Sequence, residues 1–542
     1  MSGLGWKSAL VAIVSFAYLA HGVERTGIAS ALANAVDGIH AQDESIYANA
    51  ALRTAAQGNW LTPIVMGRFY FHKPPLLYVF TGFSLKALGP SLFALRLPSL
   101  LAGSLTAALL FFWCAGARGL WAGLTAVLLL LSNSVWVTFA RLCYTDTLLA
   151  FFTVAAMFAV ARDPRLDTTA ARWCFIAFDA AAILTKSVAG VLPFLALAVF
   201  AALAPRDQRP TIARILRVIA WIALLIAPWH LYQLLVHRQW FYTEYIKMEL
   251  LQWAFHPPVP RSDEITVWFY LKRLFLTDPF LCAGALLTLP LLVREFKKRK
   301  TDARWLACWL AVIALAVFSY QWRNFPYVLM LLAPLCLMVA YYIPAKYQGG
   351  ALLLAALVLG LKLLPGNRVW SLNYSTSQPL PAAPVLRSYA DRGRSNELIL
   401  VDTDDEFSSS TMPLPKVRYC FRDPGNVTLR YAPYFVDLGI TVNSDVFSDL
   451  DRWEPIFGDH LRAWALDSAE PIATTILART DADIVHIIQS HPDADFYLPM
   501  SLQPAVGAVQ STHTIVPVST GRFFLLANRS TSRVSPQSSM LQ

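Results

Sequence analysis

Two adjacent carboxylates, Asp43 and Glu44, begin a helix-like stretch in a chain that is otherwise strongly apolar. Acidic residues favour the first turn of a helix because they interact with the helix dipole, and this is the structural interpretation of the pair. Beside a membrane a carboxylate also has a chemical use, since it can take a proton from an acceptor hydroxyl while its neighbour tunes its pKa. Ionisable groups at a membrane tend to be functional. We therefore predict that Asp43 and Glu44 are catalytic.

A third carboxylate and three cations stand at the edges of apolar segments. Asp146, in the stretch RLCYTD, either caps a helix or faces the same cavity as Asp43. Each cation alone could be a side chain that reaches from apolar surface to water. Together they indicate an anionic ligand at the membrane surface, such as a lipid phosphate. These cations are Lys73, Lys186 and Arg323.

The stretch FHKPPLLY, from Phe71 to Tyr78, places a histidine and a lysine directly before an apolar helix. Its prolines favour an extended backbone at Lys73 and suit the first turn of the helix that follows. Lys73 then stands at the positive end of that helix, which favours an anion. His72 and His256, with a carboxylate, could hold a divalent metal such as Zn²⁺, Mg²⁺ or Mn²⁺. Because the two histidines are far apart in sequence, the alternative of no metal stays open.

The composition is that of a membrane protein with a soluble part attached. Of 542 residues, 56% are hydrophobic and 15% are charged, against about 25% charged in soluble domains. The mean hydropathy is +0.47. The net charge of +10 is explained by basic cytoplasmic loops rather than by binding to nucleic acid. Of the seven cysteines, only Cys420 falls in the polar C-terminal part, which excludes an internal disulfide there.

Apolar stretches of the length that crosses a bilayer, about 17–25 residues, number about eleven. They lie near residues 8–23, 92–114, 119–139, 146–161, 173–187, 188–204, 214–235, 274–293, 303–319, 326–343 and 348–364. Basic residues concentrate in alternate loops, most strongly in REFKKRK at 294–300, so the N-terminus is predicted to be cytoplasmic and the C-terminal part external. The first stretch could instead be a signal peptide, although a retained span is favoured. Residues 173–204 could also be one long helix with a re-entrant piece.

The chain divides into a membrane domain and a soluble domain. Residues 1–365 form the first, with interfacial helices on its outer face at 42–57 and 74–88. Residues 371–542 form the second, in which short apolar runs indicate strands and an α/β fold. The predicted strands are 397–403, 482–489 and 521–529. The predicted fold class is an all-α multispanning membrane protein with a C-terminal α/β soluble domain.

Six stretches, taken in order, carry a family resemblance. Asp43-Glu44 is followed by QGNWLTPIVMGRFYFHKPPLLY and ALRLPSLLAG, and then by RLCYTDTLLAFF, ILTKSVAGVLP and RNFPYVLMLLAP. Over roughly residues 1–365 the chain resembles the polyprenyl-phosphate-sugar-dependent glycosyltransferases of GT-C type. That family includes the bacterial aminoarabinose transferases acting on lipid A and the protein O-mannosyltransferases.

The resemblance implies a GT-C fold with a periplasmic cavity, a sugar donor on an undecaprenyl-type phosphate, and inversion at the anomeric carbon. Asp43 would be the base or the carboxylate that orients the acceptor, with Glu44 as its neighbour and Asp146 as the second acid. The three cations would meet a phosphate of the donor or acceptor, and Tyr327 would line the pocket. His72 stands where aminoarabinose transferases usually have an acid that can help bind a metal.

These observations predict a glycosyltransferase of the bacterial inner membrane, with its site and its soluble domain facing the periplasm. The donor is a polyprenyl-phosphate-linked sugar, and the acceptor is a hydroxyl or phosphate of lipid A, another glycan, a glycolipid or a protein. A transporter or flippase of lipid-linked sugars is the alternative, with Asp179 and Lys186 in an ion pathway. The sequence shows no matching broken helices in two halves, which disfavours a transporter.

Overall fold

Apolar helix-forming sequence dominates the first two-thirds of the chain, and the computed structural model shows that part as a bundle of α-helices. The structure describes residues 2–23; 44, 47–48, 50–51, 54–55 and 58–65; 68–253 except Pro90; 268–320; 325–364; 398–402; 426–431; 470–477; 481–509; 512–517; and 523–529. Three predicted site residues, Asp43, His256 and Arg323, lie outside these ranges, as does the predicted domain boundary at 365–371.

The helices of the membrane domain are numbered in chain order. They are α1 (Ser2–Ala20), α2 (Leu76–Leu88), α3 (Leu92–Arg118), α4 (Leu120–Ser132), α5 (Ser134–Ala140), α6 (Thr145–Arg162), α7 (Thr169–Lys186), α8 (Leu192–Leu203), α9 (Ile212–Phe241), α10 (Trp268–Thr277), α11 (Pro279–Lys297), α12 (Thr301–Ser319), α13 (Leu329–Tyr342) and α14 (Gln348–Leu363). A hairpin of β1 (Ile64–Val65) and β2 (Arg68–Phe69) precedes α2, and a π-helix (Tyr242–Trp253) continues α9. The predicted interfacial helix at 74–88 is α2, and the described residues between 44 and 55 are helical.

Among the described residues, eight helices are long and apolar enough to cross a membrane, and the bent pair α4 and α5 makes up to nine. This pair bends by 73° at Asn133, whose side chain accepts a hydrogen bond from the Trp136 amide and so begins α5. The predicted span at 326–343 contains α13, which is shorter but is buried along nearly its whole length. The multispanning all-α class is confirmed, while the count of eleven spans stays a prediction.

Residues 173–204 contain two helices, α7 and α8, with a sharp turn between them. By length alone, residues 169–203 count as one apolar segment. Ser187, however, has a φ of 35°, in the left-handed region that non-glycine residues rarely adopt. A Cβ added at Gly190 would collide with the backbone of Ala182 and Ile183, so the turn lies against the helix it follows. The α-helix is therefore interrupted after Lys186 by a strained turn and a short 3-10 helix (Ser187–Val191) before α8 begins.

Helix α3 relates the two ends of the bundle. It begins at the N-cap Ser91, whose hydroxyl accepts from the Ala94 amide at 3.1 Å, and ends before Gly119, which has a φ of 93°. At about 1.5 Å per residue, a helix of this length extends about 40 Å, enough to cross a bilayer. Arg96 lies near its start and Arg118 at its end. We call the end that contains Arg96 the site end.

The soluble part contains a six-stranded mixed sheet. Its strands are β3 (Leu398–Asp402), β4 (Asn426–Tyr431), β5 (Glu470–Leu477), β6 (Asp495–Pro499), β7 (His513–Pro517) and β8 (Phe523–Asn528), in the order β4-β5-β3-β6-β8-β7. β3 runs parallel to β5 and β6, and the other pairs are antiparallel. The strands predicted at 397–403 and 521–529 are therefore confirmed as β3 and β8, within an α/β domain.

The strand predicted at 482–489 is wrong, because Asp481–Ser490 form a helix, α15. Ile484, Ile487 and Ile488 are buried together in the small core of this domain. Their spacing of three and four residues places them on one face of a helix, whereas a half-buried strand would alternate buried and exposed residues. The apolar residues of this segment indicate a buried element, and their spacing of three and four residues indicates that it is a helix.

Candidate functional site

Glu44 is fully enclosed at the site end and joins three segments of the chain. Its carboxylate accepts hydrogen bonds from Arg96 Nε at 2.9 Å and from Arg96 Nη2 at 3.0 Å. It also accepts one from the Cys143 amide at 2.8 Å. Glu44 has no exposed surface and Arg96 is only 4% exposed. This two-pronged pair anchors the segment that carries Asp43 to the start of α3 and to the loop before α6.

Asp146 and Lys186 form the second ion pair of the site end. Lys186 donates to Asp146 Oδ1 across 2.6 Å, and the Lys186 ammonium lies 4.5 Å from the centre of the Tyr327 ring. The N-cap of α6 is Tyr144, so Asp146 lies inside the first turn rather than capping the helix. Three residues predicted from the sequence, Asp146, Lys186 and Tyr327, are thus in contact.

The position of Lys186 follows from the turn between α7 and α8. Lys186 is the last residue of α7, and the turn that begins at Ser187 departs from the helix direction. A positive φ at a residue with a Cβ is a strained backbone that the surrounding structure must hold. The close approach of Gly190 to the backbone of α7 holds it here. The stretch TKSVAG therefore aims a lysine at the start of α6.

Lys73 and His72 belong to a third group, which the π-helix completes. The Lys73 ammonium donates to Glu249 Oε1 and to the His72 carbonyl, the latter at 3.0 Å. The His72 ring lies between two carboxylates, with Nε2 3.2 Å from Glu244 and Nδ1 3.4 Å from Glu249. Glu244 has no exposed surface, and the other three side chains are largely buried.

The charges of this group shift one another's pKa values. Burial opposes protonation of His72, but the hydrogen bonds and charges of Glu244 and Glu249 outweigh burial and raise its pKa above the ordinary value of 6.5. Burial likewise disfavours the Glu249 carboxylate, but the Lys73 charge and the His72 ring outweigh it and lower the pKa of Glu249 to about 2. Glu249 therefore stays ionised at neutral pH and pairs with both neighbours.

Two tyrosines lie between the Lys73 group and the Lys186 pair. Burial, together with the nearby Glu249 charge, raises the pKa of Tyr320 above its ordinary value. The Tyr320 ring lies 5.8 Å from that of Tyr327, which in turn lies beneath Lys186. The two lysines predicted to bind one anionic ligand are therefore connected through contacts at one end of the bundle.

The geometry around His72 bears on the predicted metal site. Both of its ring nitrogens face carboxylates, on opposite sides of the ring, so His72, Glu244 and Glu249 do not converge on one point. Within the described ranges, no group of three or more His, Cys, Asp or Glu side chains could hold a metal ion. The partner proposed from the sequence, His256, lies outside those ranges. A metal at His72 and His256 stays a prediction.

Three residues of the site end escaped the sequence interpretation: Arg96, Glu244 and Glu249. Arg96 lies within the stretch ALRLPSLLAG, where a charged residue in an apolar helix was the available signal. Glu244 and Glu249 share a face because their segment is a π-helix with a wider turn than an α-helix. In an α-helix, positions i and i+5 lie on different faces, so the usual helical pattern does not predict that Glu244 and Glu249 lie together.

A multispanning helical bundle that gathers ion-paired lysines and carboxylates at one end has the GT-C fold of membrane glycosyltransferases. It superimposes on the crystal structures of ArnT from Cupriavidus metallidurans, in the apo state with a TM-score of 0.62 and bound to undecaprenyl phosphate with a TM-score of 0.63. These alignments cover 97% and 98% of this chain and 98% and 99% of ArnT, at 14% and 15% sequence identity. The predicted GT-C fold is confirmed.

Sequence comparisons agree with the fold. The family model for dolichyl-phosphate-mannose-protein mannosyltransferases matches residues 72–232. The chain is 27% identical over 317 residues to undecaprenyl phosphate-alpha-4-amino-4-deoxy-L-arabinose arabinosyl transferase 1 of Sodalis glossinidius. It is 26% identical over 323 residues to the corresponding transferase of Pectobacterium atrosepticum. These matches cover 55% and 56% of this chain and 54% of each relative, so the chain spans about half the length of the curated relatives it matches. The resemblance seen in the sequence is confirmed.

Proposed function

We propose that this protein is an integral membrane glycosyltransferase that moves a sugar from a polyprenyl phosphate to an acceptor. The observation that carries the proposal is the contact of Asp146, Lys186 and Tyr327 at one end of a GT-C bundle. The transferases named for undecaprenyl phosphate-linked aminoarabinose, and the ArnT structure that contains undecaprenyl phosphate, support a lipid-phosphate donor.

Lys73 and Lys186 are the groups that would meet the phosphate of the donor. Phosphate oxygens accept strong, charge-assisted hydrogen bonds from ammonium groups. As the glycosidic bond breaks, negative charge develops on the departing lipid phosphate, and fixed cations in a largely water-free site stabilise it. Arg323, by its position in the sequence, would contribute a further positive charge that stabilises the departing phosphate. Both lysines are paired with carboxylates, which hold their ammonium groups in place.

Asp43 would orient the acceptor hydroxyl and take its proton, and attack from the face opposite the phosphate would invert the anomeric carbon. The contacts of Glu44 suit a positioning role, because its carboxylate accepts hydrogen bonds from the Arg96 side chain and the Cys143 amide. Anchoring Glu44 fixes the backbone immediately after Asp43. This arrangement needs no nucleotide, since the donor arrives already attached to its lipid.

The bundle is a multi-pass membrane domain, and we propose that its site end faces the periplasm of a bacterial inner membrane. The basic run at 294–300 lies at the end of α11 and continues to the start of α12. The positive-inside rule assigns that end to the cytoplasm. Lipid A or another envelope glycan is the acceptor class that an external site would reach, and the resemblance in sequence to aminoarabinose transferases acting on lipid A supports lipid A.

A transporter gains no support from the residues that suggested it. Lys186 is paired with Asp146, and Asp179 lies near the Phe194 amide at the beginning of α8. A carboxylate at a helix N-terminus is stabilised there by the unpaired amides and the helix dipole. Neither Asp179 oxygen makes a hydrogen bond in the described part of the chain, so its proximity to the start of α8 is an electrostatic contact, and Lys186 pairs with Asp146 instead.

Purified protein given a polyprenyl-phosphate-linked sugar and an acceptor should release free polyprenyl phosphate. The variant Asp43→Asn should lose this activity while inserting into the membrane and folding as the native chain does. Near-normal transfer by Asp43→Asn would remove Asp43 from the mechanism. Comparing the envelope glycolipids and glycoproteins of wild-type and deletion strains by mass spectrometry would identify the sugar and acceptor. Movement of intact lipid-linked sugar across vesicles, without release of the lipid phosphate, would instead support a flippase.

A further inference from the structure

Glu249 forms an ion pair with Lys73, the cation that the proposed function assigns to the donor phosphate. The Lys73 ammonium donates to Glu249 and to the His72 carbonyl, which leaves one of its three N–H donors without a described partner. A carboxylate in direct contact neutralises most of the attraction that Lys73 would have for a second anion. A phosphate that binds Lys73 closely must therefore share the Lys73 ammonium with Glu249 or displace the Glu249 carboxylate from it.

The segment that carries Glu249 has an unusual backbone. It is a π-helix, a geometry that is rare and is frequent at functional sites. Arg238, just before it, has a φ of 45°, which for a residue with a Cβ is a strained conformation. The segment is tied to the rest of the site end by His72, which contacts both Glu244 and Glu249. The contact of Glu249 with Lys73 is thus separate from the contact of Glu244 with His72.

We propose that Glu249 is the internal counter-anion of the donor site, which yields Lys73 to the donor phosphate and returns to it when the lipid product leaves. The inference rests on the proposed function, because it requires Lys73 to bind the donor phosphate. Glu249 then weakens the binding of every lipid phosphate to the site.

The consequence for turnover follows from the charges of donor and product. The donor is a phosphodiester with one negative charge, whereas the released lipid phosphate is a monoester with a charge of about −1.5 to −2 at neutral pH. A bare lysine would therefore hold the product more strongly than the donor. A carboxylate that competes for the same lysine weakens both and speeds release of the product. Glu249 thereby protects the enzyme against inhibition by its own product.

The test is a double-mutant cycle on the binding of undecaprenyl phosphate to the purified full-length protein. Glu249→Gln keeps the size of the side chain and one accepting oxygen but removes its charge, and should bind the lipid about tenfold more tightly than the native chain. Lys73→Met should bind it about tenfold more weakly. The double variant should match Lys73→Met, because Glu249 acts only through Lys73. Glu295→Gln is the matched control and should bind as the native chain does, since Glu295 pairs with Lys298 at the end of α11 that carries the basic run.

The outcomes separate this inference from the proposed function. Weaker binding by Lys73→Met without a gain in Glu249→Gln would overturn the role of Glu249 and leave the donor site in place. Unchanged binding by Lys73→Met would contradict the role of Lys73 in the donor site and, with it, the role of Glu249 as a counter-anion. A gain that persists in the double variant would show that Glu249 acts elsewhere. In turnover assays, Glu249→Gln should also show stronger inhibition by added undecaprenyl phosphate and a lower kcat, with a lower KM for the donor.

Discussion

Asp146 and Lys186 are 40 positions apart in the sequence and form a buried ion pair, with Asp146 Oδ1 2.6 Å from Lys186 Nζ. Their side chains are 4% and 14% exposed, so water screens the pair weakly. The pair joins the beginning of α6 to the end of α7, two helices that pack side by side. The Asp146–Lys186 pair therefore supplies charged groups to the site and also links α6 to α7.

Breaking the pair from one side should destabilise the protein more than removing both charges. Lys186→Met leaves the Asp146 carboxylate buried without its cation, which should lower the free energy of unfolding by about 3–5 kcal/mol. The double variant Asp146→Asn, Lys186→Met removes the stranded charge and should recover much of this loss. Thermal unfolding in detergent measures the difference, and Lys247→Met, an exposed cation of the π-helix, is the control. Equal destabilisation of the single and double variants would contradict this account, and transfer should be lost in both.

The Glu44 and Arg96 pair should protect the Cys143 thiol. Cys143 donates its amide to Glu44, and burial raises the pKa of its thiol to about 12, so it should resist thiol reagents at neutral pH. Arg96→Met removes the guanidinium that pairs with Glu44, which should open this region and make Cys143 reactive. Glu44→Gln still accepts from the Cys143 amide and should have a smaller effect.

Site-resolved mass spectrometry of labelled protein gives the measurement. The exposed Cys174 serves as the internal reference, since its labelling should be the same in every variant. Transfer activity should fall in parallel with the labelling of Cys143, because the Glu44 anchor fixes the backbone next to Asp43. Unchanged protection of Cys143 in Arg96→Met would mean that the pair does not hold this segment.

Much of this architecture could be predicted from the sequence because apolar length and charge are local signals. The presence of many spans, Lys73 before its helix, and the placement of Asp146 and Lys186 at the same end all follow from hydropathy and alternate loops. The role of Glu249 could not be predicted, because it depends on a π-helix whose register differs from the α-helical period. The burial of Glu44 depends on Arg96 and Cys143, which are 52 and 99 positions away. No local pattern encodes such contacts.

The His72 and Glu249 contacts should give the protein a stability optimum in mildly acidic solution. The pKa of His72 is raised above 6.5, so its contribution is fully present below pH 6.5 and is lost as the pH rises through the folded-state value. The pKa of Glu249 is lowered from 4.5 to about 2, so its contribution is present above pH 4.5 and is lost as the pH falls towards 2. Both contributions are complete between pH 4.5 and 6.5.

A series of Tm measurements against pH checks this expectation. The native protein should lose stability as the pH rises above 6.5, and His72→Gln should lack that alkaline loss. Glu249→Gln should lack the acid loss and should also weaken the alkaline one, because Glu249 helps raise the pKa of His72. An alkaline decline of the same size in His72→Gln would assign it to another group.

At the other end of the bundle, Arg304 should be a residue whose removal stabilises the protein. It lies in the first turns of α12 and is 8% exposed, and its Nε and Nη1 atoms are buried without a hydrogen-bond partner in the described part of the chain. Its guanidinium faces the Phe296 ring at 5.8 Å, a contact that offsets only part of the desolvation of a buried charge. Arg304→Met keeps the apolar stem and removes the unpaired donors. The free energy of unfolding should rise by about 1–3 kcal/mol.

Thermal or denaturant unfolding in detergent measures the effect of Arg304→Met. The matched control is Arg299→Met. Arg299 is an exposed arginine of the basic run at 294–300, and its replacement should change the free energy of unfolding by less than about 0.5 kcal/mol. Both variants remove one positive charge, so any difference between them reports burial and not net charge. A loss of stability in Arg304→Met would show that the guanidinium has an anionic or water partner in the folded protein, since only a satisfied buried charge is costly to remove.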